Sequence, residues 1–257
     1  MTTDAPARTP LAHLPTPAVP ADRLGAALGL PAGALWIKHD DLTGVAGGGN
    51  KVRKLEHLAT AAVAAGADTL VTGGGRQSNH VRLTAAVANR LGLAATVVLA
   101  SAPPDQPTGN VVLDEVLAPD IVWAGDLDYY GLEDAIAAES ERLAGEGRRP
   151  YLIPVGGASA VGALGYVHAA HELDAQGADQ PLGVVADGSG GTHAGLVAGF
   201  GDHGRVLGVD VGTRPDLDEA VPAMAAATAD LAGRPRPTGT VRVDHDRIGP
   251  GYGAPSD

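Results

Sequence analysis

The chain has 257 residues, with 30 Asp or Glu against 18 Lys or Arg, and its formal charge of −12 argues against a nucleic-acid or anionic-membrane partner, since both demand clustered positive charge. It contains no cysteine, which excludes disulfides, thiolate catalysis and Cys-based zinc or iron–sulfur sites and fits a cytoplasmic protein. At 44% hydrophobic but only 3% aromatic residues, the chain can bury a sizeable core built from Ala, Val and Leu.

In chain order, short β-branched runs alternate with Ala/Leu-rich amphipathic stretches. Strands are expected at 35–39, 69–72, 95–99, 120–123, 151–154, 183–186 and 206–211. Helices are expected at 51–65, 78–91, 110–117, 131–143, 161–175, 192–200 and 215–231. The tail after Gly233, rich in Gly, Pro and Arg, reads mostly as loop. The first residues lack the apolar stretch of a secretory signal, and no run of ~18 apolar residues could span a bilayer. Strand–helix alternation means right-handed βαβ units. The expected class is therefore α/β, with open, mainly parallel sheets and helices on both faces. Ligands of such sheets lie beyond the carboxyl ends of the strands. Glycine clusters fall at such turns: 47–49, 73–75, 156–157 and 188–191.

Three of these turns carry chemistry. Val184-Val185-Ala186-Asp187 runs into Gly188-Ser189-Gly190-Gly191-Thr192, where a helix opens. Free N–H groups, the helix dipole and hydroxyls make that a phosphate cradle, or else a tight packing turn. With His193 in place of the third glycine it is not a dinucleotide fingerprint, and no Gly-Lys-Ser/Thr follows to make a Walker loop. Lys51 follows Gly48-Gly49-Asn50 at a helix start, a position that helps an amine shed its proton; the alternative is a solvated surface lysine. In Arg76-Gln77-Ser78-Asn79-His80, Ser78 is a good N-cap, and with Asn79 and His80 it could instead cradle a substrate carboxylate. His168, His171 and Glu172 lack a third ligand type suited to a metal, and none is expected. Asp40-Asp41 reads as a turn closing a strand, and Gly188-Ser189-Gly190 lacks the frame of a hydrolase elbow.

Further motifs join these: Lys38-His39-Asp40-Asp41-Leu42-Thr43-Gly44, Asn50-Lys51-Val52-Arg53-Lys54-Leu55-Glu56, Gln77-Ser78-Asn79-His80-Val81-Arg82, Pro154-Val155-Gly156-Gly157, Gly162-Ala163-Leu164-Gly165-Tyr166 and Gly249-Pro250-Gly251-Tyr252-Gly253. Taken in order, the chain from about residue 9 onward resembles the D-cysteine desulfhydrase and 1-aminocyclopropane-1-carboxylate (ACC) deaminase family. These enzymes use pyridoxal 5'-phosphate (PLP) on a two-domain, fold-type-II scaffold. The resemblance implies a smaller inserted domain at 52–166 and a larger domain made of 1–51 and 167–257. It implies that Lys51 carries the cofactor and moves the Cα proton, and that Asn79 bonds the cofactor's phenolic oxygen. Gly188, Ser189, Gly190, Gly191 and Thr192 would hold the phosphate. Ser78, Asn79 and His80 would border a small amino-acid substrate, Ser78 near its carboxylate, and Tyr252 would line the site.

Deaminases of this family tend to carry Gln after Ser-Asn, so His80 tilts the expectation towards β-elimination from D-cysteine or a related amino acid. The alternatives are ACC deamination, or a truncated PLP-binding homologue without turnover. A phosphosugar or nucleotide binder that does without PLP is a third reading. The resemblance also implies a homodimer and a longer chain, whose further segment holds a second active-site tyrosine and the residue facing the pyridine nitrogen. An incomplete member is the favoured explanation, beside completion by another chain or loss of activity.

Overall fold

The structure, a computed structural model, describes residues 7–177 and 182–249. Its largest sheet grows from short apolar runs, each too short for a helix and bounded by turns. Strands β3 (Thr69–Gly74), β4 (Ala94–Leu99), β5 (Asp120–Trp123) and β6 (Pro150–Leu152) pair in the order β5-β4-β3-β6, every pair parallel. Successive residues of central β3 point to opposite faces, and both faces are covered. Leu70 joins a core with helices α2 (Lys51–Ala64) and α3 (Asn79–Leu91), through Leu55, Leu58, Leu83 and Val87. Val71 packs instead with Tyr129, Leu132, Ile136 and Leu143 of α5 (Tyr129–Gly145). Helix α4 (Asn110–Leu117) connects β4 to β5.

A second parallel sheet, β7-β8-β9, consists of Gly183–Asp187, Val206–Asp210 and Val243–Asp244. Helices α6 (Ala160–Ala175), α7 (Gly191–Phe200) and α8 (Leu217–Leu231) build its core around Tyr166, Val197, Val206 and Val221. On the other face of β7, Val184 stays 62% exposed. The amino-terminal part adds a small antiparallel pair, β1 (Ala18–Pro20) with β2 (Trp36–Lys38), linked by α1 (Asp22–Ala27).

Helix α6 joins the two sheet layers. A Cβ at Gly165 would lie 2.2 Å from the carbonyl oxygen of Arg53 in α2, and one at Gly195 of α7 would lie 2.2 Å from that of Ala163. Only glycine permits these backbone approaches. The four-stranded sheet lies wholly within 52–166 and the three-stranded sheet wholly beyond 167, while α6 runs across that boundary.

The expected strands and helices all occur, with shifted ends. Helix α5 starts two residues earlier than expected because Asp128 caps it, accepting from Gly131 N at 2.7 Å. Helix α3 starts one residue later, since Ser78 is its N-cap, and α8 starts at Leu217 rather than 215. Strands β1 and β9 and helix α1 were not expected.

Candidate active site

The carboxyl ends of β3, β6 and β7 and the start of α2 converge on one cavity of about 800 Å³. Each wall has a local cause. Strand β3 ends in glycines and turns into α3 at Ser78, whose Oγ accepts from Val81 N at 3.4 Å. Strand β7 ends at Asp187, and Gly190 adopts φ +83° to aim the first turn of α7 at the cavity. Such a helix start presents free N–H groups and the positive end of its dipole.

The glycine loop ahead of α2 is held from behind. Arg82 of α3 donates through Nη1 to the carbonyl of Ala46 and through Nη2 to that of Gly48, the latter at 3.0 Å. Gly48 has φ +78°, and a Cβ there would fall 1.8 Å from the carbonyl oxygen of Asp41. The loop delivers Lys51 as the first residue of α2, its Nζ donating to Asn50 Oδ1 at 3.2 Å. Burial lowers the Lys51 amine to about 8, with the charge of Asp187 opposing the shift. Asn50 in turn donates to Thr192 Oγ1 at 3.4 Å, joining the lysine's loop to the glycine cradle.

One helical turn on, Lys54 is buried and donates to the carbonyl of Gly156 at 3.1 Å. Burial pushes its amine well down, and the neighbouring Lys51 charge pushes it further. A Cβ at Gly191 would lie 2.7 Å from Lys54 Nζ, so this amine sits against the first turn of α7. Sequence reasoning singled out Lys51 and passed over Lys54. The available signal was the i,i+3 spacing, which puts both side chains on one helix face.

His80 is buried and its tautomer is dictated by its neighbours. Thr72 Oγ1 donates to the carbonyl of Ile153 at 2.8 Å, so it accepts from His80 Nε2 at 3.0 Å. His80 Nδ1 is left as a bare, buried acceptor without a partner. Burial and the charges of Lys51 and Lys54 hold the ring well below its usual pKa, so it is neutral.

The structure thus brings Lys51, Ser78, Asn79, His80, Gly188, Ser189, Gly190, Gly191 and Thr192 to one cavity. Tyr252 lies outside the described residues. Asp126, Tyr129, Thr213 and Arg247 also line the cavity, and sequence reasoning had not marked them. His168 stacks on His57 with centroids 5.3 Å apart, and His171 accepts from Arg234 at 2.8 Å. Glu172 pairs with Arg53 and Lys38. Among the described residues no helix is long and apolar enough to cross a membrane.

A model of the pyridoxal-phosphate dependent enzyme family matches residues 9–257. The chain belongs to that family. It is 40% identical over 266 aligned residues to D-cysteine desulfhydrases of Salmonella typhimurium and Salmonella enteritidis, covering 98% of this chain and 76% of theirs. The solved structure of an ACC deaminase homologue superposes with a TM-score of 0.84 at 33% identity, over 96% of this chain and 76% of that one. A PLP-dependent aspartate racemase, at TM-score 0.58 and 17% identity over 77% of this chain and 57% of its own, shares the fold.

The family's cofactor is PLP, and the residues present fit it. A half-buried lysine with a lowered pKa faces a glycine cradle at a helix start, with a second, buried lysine beneath it. The buried Thr213 Oγ1 beside Gly188 has no partner among the described residues, so a polar ligand group can satisfy it.

Proposed function

We propose that this PLP-dependent enzyme is a lyase that removes the β-substituent of a small amino acid, D-cysteine or a close analogue. The observation that carries the reading is the meeting, in one cavity, of Lys51, the 188–192 cradle and the Ser78-Asn79-His80 helix start. PLP, when bound, supplies an electron sink that stabilises negative charge at the Cα of an amino acid attached to it.

The chain's own residues do the rest. The amide groups of Gly188, Ser189, Gly190, Gly191 and Thr192 would hold the phosphate at the start of α7, with the Lys54 amine beneath. Lys51 would hold the cofactor and, through Nζ, take the proton from the substrate Cα. A pKa near 8 leaves about half of its amine unprotonated at pH 8, against roughly one part in 300 for an ordinary lysine. Asn79 would bond the cofactor's ring oxygen, and Ser78 would meet the substrate carboxylate at the start of α3. His80, neutral, borders the substrate as an acceptor only. Loss of the Cα proton and of the Cβ sulfur as sulfide, followed by addition of one water, accounts for the products pyruvate, ammonia and hydrogen sulfide.

The D-cysteine desulfhydrase relatives and His80 favour elimination. ACC deamination is the second reading, supported by the ACC deaminase homologue. The resemblance further supports a cytoplasmic homodimer, with 52–166 as the inserted smaller domain.

The test is a visible spectrum with added PLP on wild type and Lys51→Ala, followed by assays for 2-oxo acids: pyruvate from D-cysteine and β-chloro-D-alanine, 2-oxobutyrate from ACC. The expected result is a violet absorption band in wild type that Lys51→Ala lacks, with pyruvate from D-cysteine and β-chloro-D-alanine and no 2-oxobutyrate from ACC. 2-Oxobutyrate and ammonia from ACC, with no pyruvate from the other two, would select the deaminase. No 2-oxo acid from any of the three, with the band present, would sink the lyase reading.

A further inference from the structure

Asp187 closes β7 and His193 is the third residue of α7, so the two flank the five cradle residues. Their side chains meet beneath the loop. His193 Nδ1 lies 2.7 Å from Asp187 Oδ2, and the two side chains are 0% and 2% exposed. His193 Nε2 is buried without a partner among the described residues. A carboxylate oxygen only accepts, so Nδ1 is the ring nitrogen that donates, to Asp187.

The opposite strand makes room for this contact. A Cβ at Gly208 of β8 would fall 2.5 Å from Asp187 Oδ2 and 2.7 Å from His193 Nδ1. The loop above holds three glycines, Gly188, Gly190 and Gly191, and has more conformational freedom to lose than any ordinary turn. A side-chain bond from the residue before the loop to the residue after it removes much of that freedom.

Taking the cradle as the phosphate site, we infer that the Asp187–His193 hydrogen bond is a buried clasp that fixes the cradle's N–H groups in the array that receives phosphate. Both are positioning residues for the cofactor. The carboxylate's charge works against an anion, and it acts on the neighbouring amines of Lys51 and Lys54. The clasp therefore acts by geometry. Asparagine at 187, which keeps the acceptor oxygen and drops the charge, serves in its place.

The experiment compares dissociation constants for PLP and for pyridoxal, which lacks the phosphate, in wild type, Asp187→Ala, Asp187→Asn, His193→Ala and Gly208→Ala. Wild type binds PLP more tightly than pyridoxal. Asp187→Ala and His193→Ala weaken PLP about tenfold or more and leave pyridoxal within about twofold, as loss of one buried hydrogen bond implies. Asp187→Asn stays within about threefold of wild type for PLP. Gly208→Ala, which intrudes on the pair from β8, reproduces the phosphate-selective loss even where Asp187→Ala fails to fold. Equal loss of PLP and pyridoxal would overturn the clasp, as would unchanged PLP affinity in Asp187→Ala, His193→Ala and Gly208→Ala. So would an Asp187→Asn variant as weak as Asp187→Ala. Wild type binding PLP no better than pyridoxal would remove the phosphate reading itself, and the clasp with it.

Discussion

Lys51 combines two opposed demands: a primary amine held in a largely buried position, and a helix start whose dipole disfavours positive charge. Its pKa, about 8 in the folded chain against 10.5 when free, means that folding releases a proton between those values. The unfolded chain binds more protons there, so stability of the cofactor-free protein rises as pH climbs from about 8 to 10.5 and carries the full penalty below 8. Lys51→Met is expected to stabilise that form by up to about 3 kcal/mol at pH 7 and to abolish the rise. Urea denaturation at pH 7 and 10 measures both. The importance of Lys51 was legible from its glycine context, whereas the tautomer of His80 was not. That tautomer depends on Thr72 and Ile153, which meet only through the pairing of β3 and the segment after β6.

At the scale of elements, α3 does more than pack. Its N-terminus faces the cavity, and Arg82 on the same helix grips the glycine loop that presents Lys51. Behind it, Asp114 of α4 is fully buried with both carboxylate oxygens unpartnered, and burial raises its pKa to about 7 although Arg82 pulls it down. An unfolded aspartate titrates near 3.8, so the folded chain holds an extra proton between about 4 and 7, and stability falls as pH rises through that window. Asp114→Asn is expected to raise stability by about 2–4 kcal/mol at pH 8, a gain that shrinks towards pH 4. Thermal melts at the two pH values check it. The long elements were legible because their apolar spacing repeats over several turns. Strands β1 and β9 are three and two residues long, carry no period, and exist because a partner strand lies alongside. The two-residue shift at α5 comes from a cap whose donor is a glycine amide, which helix periodicity does not mark.

For the molecule as a whole, Arg53 is the joint. Its guanidinium, 1% exposed, donates to both carboxylate oxygens of Asp40 and of Glu172 and to Thr16 Oγ1, all within 2.9 Å. It thereby ties the amino-terminal segment to α2 and α6, and Tyr166 adds bonds to Asp40 Oδ2 and the carbonyl of Asn50 beside Lys51. Arg53→Met would leave two partly buried carboxylates facing each other and is expected to cost about 3–5 kcal/mol, read as a lower urea midpoint. The sequence by itself determined the parallel α/β class, the order of the elements and the family, because periodicity, turn residues and motifs are written locally along the chain. Tertiary structure alone decided that Lys54 lies under α7, that Asp187 clasps His193, and that Arg53 rather than Asp40-Asp41 organises the acidic residues. Burial and charge pairing between residues 6 to 137 positions apart set those outcomes, and no local pattern encodes which distant group will arrive.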